Sequence, residues 1–225
     1  MRNILVTGAT GNMGKAVIEK FLGEGDRVAG FARKKITESF VSNSSFREVL
    51  ADLHDSNAGA DAVNKISDDW NKIDVAILTA GGYAGGKITD TTGEELTKQF
   101  QMNFLTAYNI AQPVFNQMKK QGYGRIFLFG ANAGIDINQG KSAVAYGMAK
   151  SLIFRLAELL NAEAGDADIH TTVIVPTTID TPDNRAAMPN ADFTKWNSIE
   201  EIVSIILKNS KPGSADNYES IIKLR

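Results

Sequence analysis

The chain has 225 residues, 43% hydrophobic and 22% charged, with 24 Lys+Arg against 26 Asp+Glu for a formal net charge of -2. That balance gives no reason to expect nucleic acid or an anionic membrane as partner, and no apolar run reaches the ~18 residues a membrane span needs. Cysteine is absent, which excludes disulfide and thiolate chemistry, and the two histidines, His54 and His170, stand too far apart to suggest a metal site. Residues 1–8 lack a secretory h-region, so a cytoplasmic location is expected.

Apolar runs alternate with amphipathic stretches of helix length, without repeats, low-complexity tracts or long linkers. Residues 2–7 read as a buried strand and 14–22 as a helix. Residues 27–32 and 46–51 read as the second and third strands, 57–70 as a helix and 73–79 as a strand. A long helix follows over 94–120, then a strand over 125–129. A second long helix spans 142–162, with a strand at 169–175, a short helix at 199–207 and a last strand at 218–223. Strands that are apolar throughout and separated by helices predict a parallel sheet covered on both faces. Right-handed crossovers make it a doubly wound α/β sheet of order 3-2-1-4-5-6-7, with ligands at the carboxyl ends of the strands. Residues 1–225 read as one domain.

The first strand runs straight into Thr7-Gly8-Ala9-Thr10-Gly11-Asn12-Met13-Gly14, and a helix follows. Glycines there let the chain turn tightly and let a pyrophosphate approach the helix N-terminus. Gly8, Thr10, Gly11, Asn12, Met13 and Gly14 are therefore candidate dinucleotide-binding residues; the alternative is a Gly-rich turn without a ligand. A carboxylate at the end of the second strand would bind the ribose 2′-hydroxyl of NAD. This chain has Phe31-Ala32-Arg33-Lys34-Lys35 instead. A guanidinium fits phosphate by bidentate hydrogen bonds, so Arg33, with Lys34, points to the 2′-phosphate of NADP(H), with NAD(H) as the alternative; a solvated basic turn is the plainer reading. Asp52, with Leu53 beside it, is placed past the third strand either to accept from the adenine amino group or to cap a helix. After the fourth strand, Ala80, Gly81 and Gly82 open a glycine-rich loop that lets backbone approach a cofactor closely; a flexible loop is the alternative.

Tyr146-Gly147-Met148-Ala149-Lys150 opens the second long helix, and residues four apart share one helical face. A phenol of pKa ~10 is a poor acid–base catalyst unless shifted. The neighbouring Lys150 ammonium is expected to favour phenolate and bring Tyr146 towards neutrality, and also to reach ribose hydroxyls. Alone, the pair also reads as surface decoration.

Together these residues resemble the short-chain dehydrogenase/reductase family, whose marks are the Gly-rich turn, the N-A-G loop and Y-x-x-x-K. The resemblance covers nearly the whole chain. It implies a single-domain Rossmann fold, NAD(P)H-dependent oxidoreductase activity without a metal, and catalytic roles for Tyr146 and Lys150. Asn103 falls where the family keeps a helix Asn that positions the Lys through water. Pro176-Thr177-Thr178-Ile179-Asp180-Thr181 matches the family's P-G-x-x-x-T segment, which implies cofactor contacts for Pro176, Thr178, Ile179 and Thr181.

A narrower resemblance is to the dihydropteridine reductases. It rests on Gly8 to Gly14, on Ala80-Gly81-Gly82-Tyr83-Ala84-Gly85-Gly86, on Tyr146 to Lys150, and on Asp180 to Trp196, which is similar to that group's D-T-P-x-N-R-x-x-M-P-x-A-D-F-x-x-W stretch. It implies a pterin-like substrate under a lid at about 177–197, faced by Tyr83, Ala131, Asn132 and Met188. Tyr83 would stack on a flat ring or else pack on the lid. Ala131 stands where the wider family places a Ser that holds the substrate carbonyl; dihydropteridine reductases are similar in lacking it. A conjugated, electron-poor pterin needs less oxyanion help than a ketone. Departures from that group are Ala32-Arg33 in place of an acidic residue, Tyr83 in place of Trp, and Asn103. The alternatives are a reductase of another carbonyl or quinone, and a non-catalytic NADP(H)-binding sensor. Helices 94–120 and 142–162 resemble the family's dimer-forming pair, which implies a homodimer or homotetramer, with Phe104, Tyr108, Phe115, Leu152, Phe154 and Leu156 shared between core and interface.

Overall fold

In a computed structural model, which describes residues 1–211 and 218–225, seven strands form one sheet in the order β3-β2-β1-β4-β5-β6-β7. They are β1 (Asn3–Thr7), β2 (Arg27–Ala32), β3 (Phe46–Leu50), β4 (Val75–Leu78), β5 (Tyr123–Phe129), β6 (Asp168–Val175) and β7 (Ile221–Lys223). Every pairing is parallel. The chain builds outward from β1 to β3 and returns to β4, so β1 and β4 flank the switch point where such sheets open a crevice at their carboxyl ends.

Side chains alternate between the two sheet faces. Ile4, Val6, Val75 and Ile77 face one core, closed by α1 (Asn12–Gly23) and α8 (Ile199–Asn209). Leu5, Ala76, Leu78 and Ile126 face the other, covered by α2 (Ser56–Trp70), α4 (Thr106–Gln121) and α6 (Val144–Ala164). Because both faces are covered, Asn3–Thr7 and Val75–Leu78 are buried at every position. Among the described residues, no helix is long and apolar enough to cross a membrane.

The helix expected over 94–120 runs without a break but is not α-helical throughout. It runs as α3 (Gly93–Phe100), a π-turn (Gln101–Leu105) and α4. Two further short helices, α5 (Ile137–Gly140) and α7 (Pro182–Ala187), lie in stretches with too few residues to show a helical period. The last strand is shorter than expected, starting at Ile221, and residues 212–217 lie outside the described chain. Of the residues expected to serve core and interface together, Phe115, Phe154 and Leu156 are buried, whereas Tyr108 is 42% and Leu152 is 37% exposed. Phe104 stands between Phe100 and Tyr108 in a ladder of rings, with centroids 5.2 and 6.0 Å apart.

Candidate active site

The cradle at the end of β1 follows from its glycines. Gly8 has φ +66°, in the left-handed region where a side chain is strained. A Cβ on Gly14 would stand 2.2 Å from the Gly8 carbonyl oxygen, so the helix can approach the turn only without one. Gly11 precedes α1 with extended backbone and no side-chain cap. Among the described residues, the N–H groups of Asn12, Met13 and Gly14 find no acceptor. An open helix N-terminus with free donors and positive dipole is a ready site for an anion. Thr10 is exposed and Met13 buried beside it. The residues present thus fit the diphosphate of a dinucleotide.

Arg33, Lys34 and Lys35 are exposed at the end of β2 and make no ion pair among the described residues; the nearby Glu38 is held by Lys15 at 2.5 Å. Asp52 does not cap α2. Its carboxylate accepts from the His54 N–H at 3.1 Å, and the cap is Asp55, which accepts from Asn57 and Ala58. Leu53 is buried, and its carbonyl accepts from Asn109 Nδ2 at 2.9 Å.

Beyond β4 the loop is anchored. Thr79 Oγ1 donates to the Thr7 carbonyl at 2.7 Å, and the Ala80 N–H donates to Thr7 Oγ1 at 3.2 Å. Asn103, 1% exposed in the π-turn, grips Gly82 twice: its Oδ1 accepts from the Gly82 N–H at 3.1 Å, and its Nδ2 donates to the Gly82 carbonyl at 2.9 Å. Nδ2 also donates to Gln99 Oε1 at 2.9 Å. Asn103 thus fixes the loop directly. The expected link to Lys150 is spatial: a Cβ built on Gly81 would lie 2.7 Å from Asn103 Oδ1 and 3.7 Å from Lys150 Nζ.

Tyr146 and Lys150 lie one turn apart on α6. The Tyr146 ring meets Tyr83 edge-on, with centroids 5.1 Å apart at 73°. Tyr83 is 70% exposed, and its ring contact is with Tyr146. Lys150 is buried, its Nζ 5.7 Å from the Tyr146 ring centroid and donating to the Phe129 carbonyl at 2.7 Å. The expected lowering of the Tyr146 pKa is reversed. Burial, and next the Tyr83 phenol, push it up to about 12, while burial pushes Lys150 down to about 8. An ammonium committed to a carbonyl does not offset the phenolate's loss of water.

The turn after β5 completes this wall. Ala131 is extended and supplies no hydroxyl; Asn132–Gly134 form a 3-10 turn in which the Asn132 carbonyl accepts from Asp136 at 2.7 Å. A Cβ on Gly134 would come within 2.9 Å of the Lys150 backbone, and one on Gly147 within 2.7 Å of the Ala133 oxygen, so turn and α6 touch backbone to backbone.

Past the buried Pro176, residues 177–197 form a folded flap. Its ends meet at Asn197, 2% exposed, whose Oδ1 accepts from the Thr177 N–H at 2.8 Å and whose N–H donates to the Thr178 carbonyl at 3.0 Å. Ile179 bridges to Asn197. Thr181 caps α7, Arg185 pairs bidentately with Asp180 at 2.6 and 2.7 Å, and its guanidinium lies 4.7 Å from the Phe193 centroid. Met188 is 40% exposed on the flap. Gly81, Gly82, Tyr83, Asn103, Tyr146 and Lys150 therefore form one contiguous cluster, while Arg33, Lys34 and Asp52 line the ends of β2 and β3. Sequence reasoning passed over Gln99, the Phe129 carbonyl and Asn197; only the polar residue Asn197, next to a helix-starting Ser198, offered any cue.

A family model described as short chain dehydrogenase matches residues 2–192. A dihydropteridine reductase of Dictyostelium discoideum is 26% identical over 236 residues, covering 99% of this chain and 96% of that protein. A 3-oxoacyl-(acyl-carrier-protein) reductase of Escherichia coli is 24% identical over 81% of this chain and 75% of its own length. Among solved structures, ElxO with NADP bound superposes with a TM-score of 0.88 at 19% identity, covering 99% of this chain and 96% of the other. A serine dehydrogenase of Escherichia coli superposes with a TM-score of 0.83 at 17% identity, with coverage of 99% and 96%. These likenesses establish the fold.

Proposed function

The chain belongs to the short chain dehydrogenase family, and from that membership we propose that it is an NADPH-dependent reductase of a dihydropteridine-like, conjugated substrate. The observation that carries this reading is Tyr146, edge-on to an exposed Tyr83 with Lys150 one turn behind, beside an uncapped glycine cradle. The likeness to a dihydropteridine reductase over 99% of the chain supports the substrate class, and the NADP bound to ElxO supports the cofactor.

A bound nicotinamide supplies hydride from C4. The donors of Asn12 to Gly14 hold its diphosphate, Arg33 with Lys34 takes the 2′-phosphate, and Pro176, Thr178, Ile179 and Thr181 line the nicotinamide end. Lys150, which donates to the Phe129 carbonyl, would hold the ribose hydroxyls of a bound cofactor. Tyr146, fully protonated at neutral pH with its pKa near 12, donates the proton that the reduced substrate takes up. Tyr83 offers its free ring face to a flat substrate, and Asn132 and Met188 close the pocket. Ala131 gives the developing anion no hydroxyl, so the substrate's own conjugation carries it. We place the protein in the cytoplasm as a homodimer or homotetramer, with exposed Tyr108, Met148, Leu152 and Leu159 in the contact.

Oxidation of NADPH and NADH is to be followed with quinonoid dihydropterin, a simple ketone and a quinone. Faster NADPH than NADH oxidation, greatest with the dihydropterin, is expected; turnover confined to the ketone would overturn the substrate class. Ala131 also favours a second reading, a non-catalytic NADP(H) sensor, which NADPH binding without oxidation by any acceptor would select.

A further inference from the structure

The flap at residues 177–197 is fastened to itself. Its ends close on Asn197, the Arg185–Asp180 pair and the Phe193–Trp196 ring contact (centroids 4.7 Å apart) lie inside it, and Asn184 Nδ2 donates to the Ile179 carbonyl at 2.8 Å. Among the described residues, residues 181–196 make a single hydrogen bond to anything outside 177–197. In it Asn12 Nδ2 donates to Asp183 Oδ2 at 3.1 Å. Asn12 is the first residue of α1, next to the free donors of Met13 and Gly14. A carboxylate at that spot is favourable in the cofactor-free protein, because it meets the positive end of an uncapped twelve-residue helix. It is unfavourable once a second anion arrives there.

We propose that Asp183 latches the flap to the phosphate cradle in the cofactor-free protein, and that the cofactor's diphosphate competes with this carboxylate for the start of α1. The latch presupposes the cofactor proposed above. Asp183 then sets cofactor affinity without touching the reacting atoms. Binding the diphosphate loosens the one hydrogen bond that, among the described residues, ties 181–196 to the chain outside the flap, so filling the cradle and freeing the substrate cover become one event.

The charge is the testable part. Asp183→Asn keeps an acceptor for Asn12 and removes only the charge. Like charges about 5 Å apart in a water-like medium repel enough to change affinity by about threefold to tenfold, and salt screens the effect. NADPH fluorescence titration should therefore give a Kd about threefold to tenfold lower for Asp183→Asn than for the natural protein, with the gain shrinking at high salt. An unchanged or raised Kd overturns the proposal, and indicates a clamp that persists over the bound cofactor. Asp183→Ala removes the tether altogether. In cofactor-free protein, tryptic cleavage after Arg185 should then accelerate at least about threefold with no change in global Tm; an unchanged cleavage rate also overturns the latch. A natural protein that binds neither NADPH nor NADH defeats the functional reading instead, and the cleavage measurement then judges the latch by itself.

Discussion

Replacing Asn103 by Ala tests how the loop beyond β4 is held. The side chain is 1% exposed and makes three well-formed bonds, at 3.1 Å from the Gly82 N–H, 2.9 Å to the Gly82 carbonyl and 2.9 Å to Gln99 Oε1. Each such bond contributes about 1 kcal/mol net. Gln99, itself 3% exposed, cannot turn to water when its partner is removed, so that loss is felt in full. The sum is about 3 kcal/mol, and for a protein of this size each kcal/mol lowers Tm by about 2–4 °C. Melting followed by circular dichroism should therefore show a drop of about 6–12 °C. Asn103→Asp should do no better, because it keeps the bond from the Gly82 N–H but sets a carboxylate against the Gly82 carbonyl and Gln99 Oε1. A Tm within about 2 °C of the natural protein would show that the loop is held by something other than Asn103, and would leave the π-turn without a physical cause.

Tyr146→Phe should abolish most turnover while leaving the NADPH Kd, read by fluorescence, within about twofold; preserved turnover removes Tyr146 from the chemistry. Gly14→Ala puts a methyl 2.2 Å from the Gly8 oxygen and should weaken NADPH binding by at least about tenfold, since the helix must retreat from the cradle; calorimetric titration decides it. Arg33→Ser should cut the ratio of NADPH to NADH kcat/KM by about tenfold or more through NADPH alone; an unchanged ratio returns Arg33 to a solvated turn. Burial lowers the Lys150 pKa from 10.5 to about 8. Between those pH values the unfolded chain holds a proton there that the folded chain has released, so this group adds stability as pH rises through the window. Melting temperatures of the natural protein and Lys150→Met should diverge in the natural protein's favour from about pH 8 to 10, and a constant difference would contradict the burial of a strained ammonium.

What was legible in the sequence follows from how local each cause is. Strand order and the cradle rest on rules within a few residues: apolar runs between helices, and glycines where backbone must cross backbone. Gly8 turns the chain with a positive φ, and Gly14 lets the helix approach that turn. Tyr146 and Lys150 were legible as a pair because helical spacing places them. The direction of the Tyr146 shift was not, because counting neighbouring charges says nothing about lost water, and burial dominates both groups. Nor was the Lys150 acceptor, a main-chain oxygen at Phe129 that any residue would present. The π-turn depends on Asn103 reaching Gly82 twenty-one positions away, and the flap tether on Asn12 meeting Asp183 across 171 positions. Such contacts leave no periodicity to read.

The π-turn has a consequence for changes of length rather than of identity. A regular helix advances about 100° per residue, and the wider turn at Gln101–Leu105 takes up one residue more than a regular turn would. Phe100, Phe104 and Tyr108 keep an unbroken outer ribbon across it, while Gln99 and Asn103 face inward. Deleting one residue, Met102 for example, would remove no group assigned to the chemistry and would allow an ideal helix to form. It would leave α3 and α4 in phase, since the wide turn had absorbed the extra residue, but it would narrow the turn that carries Asn103 and draw that side chain away from Gly82 and Gln99. The active-site wall thus depends on a residue count as strictly as on any side chain, and a smoother helix would be the less functional one.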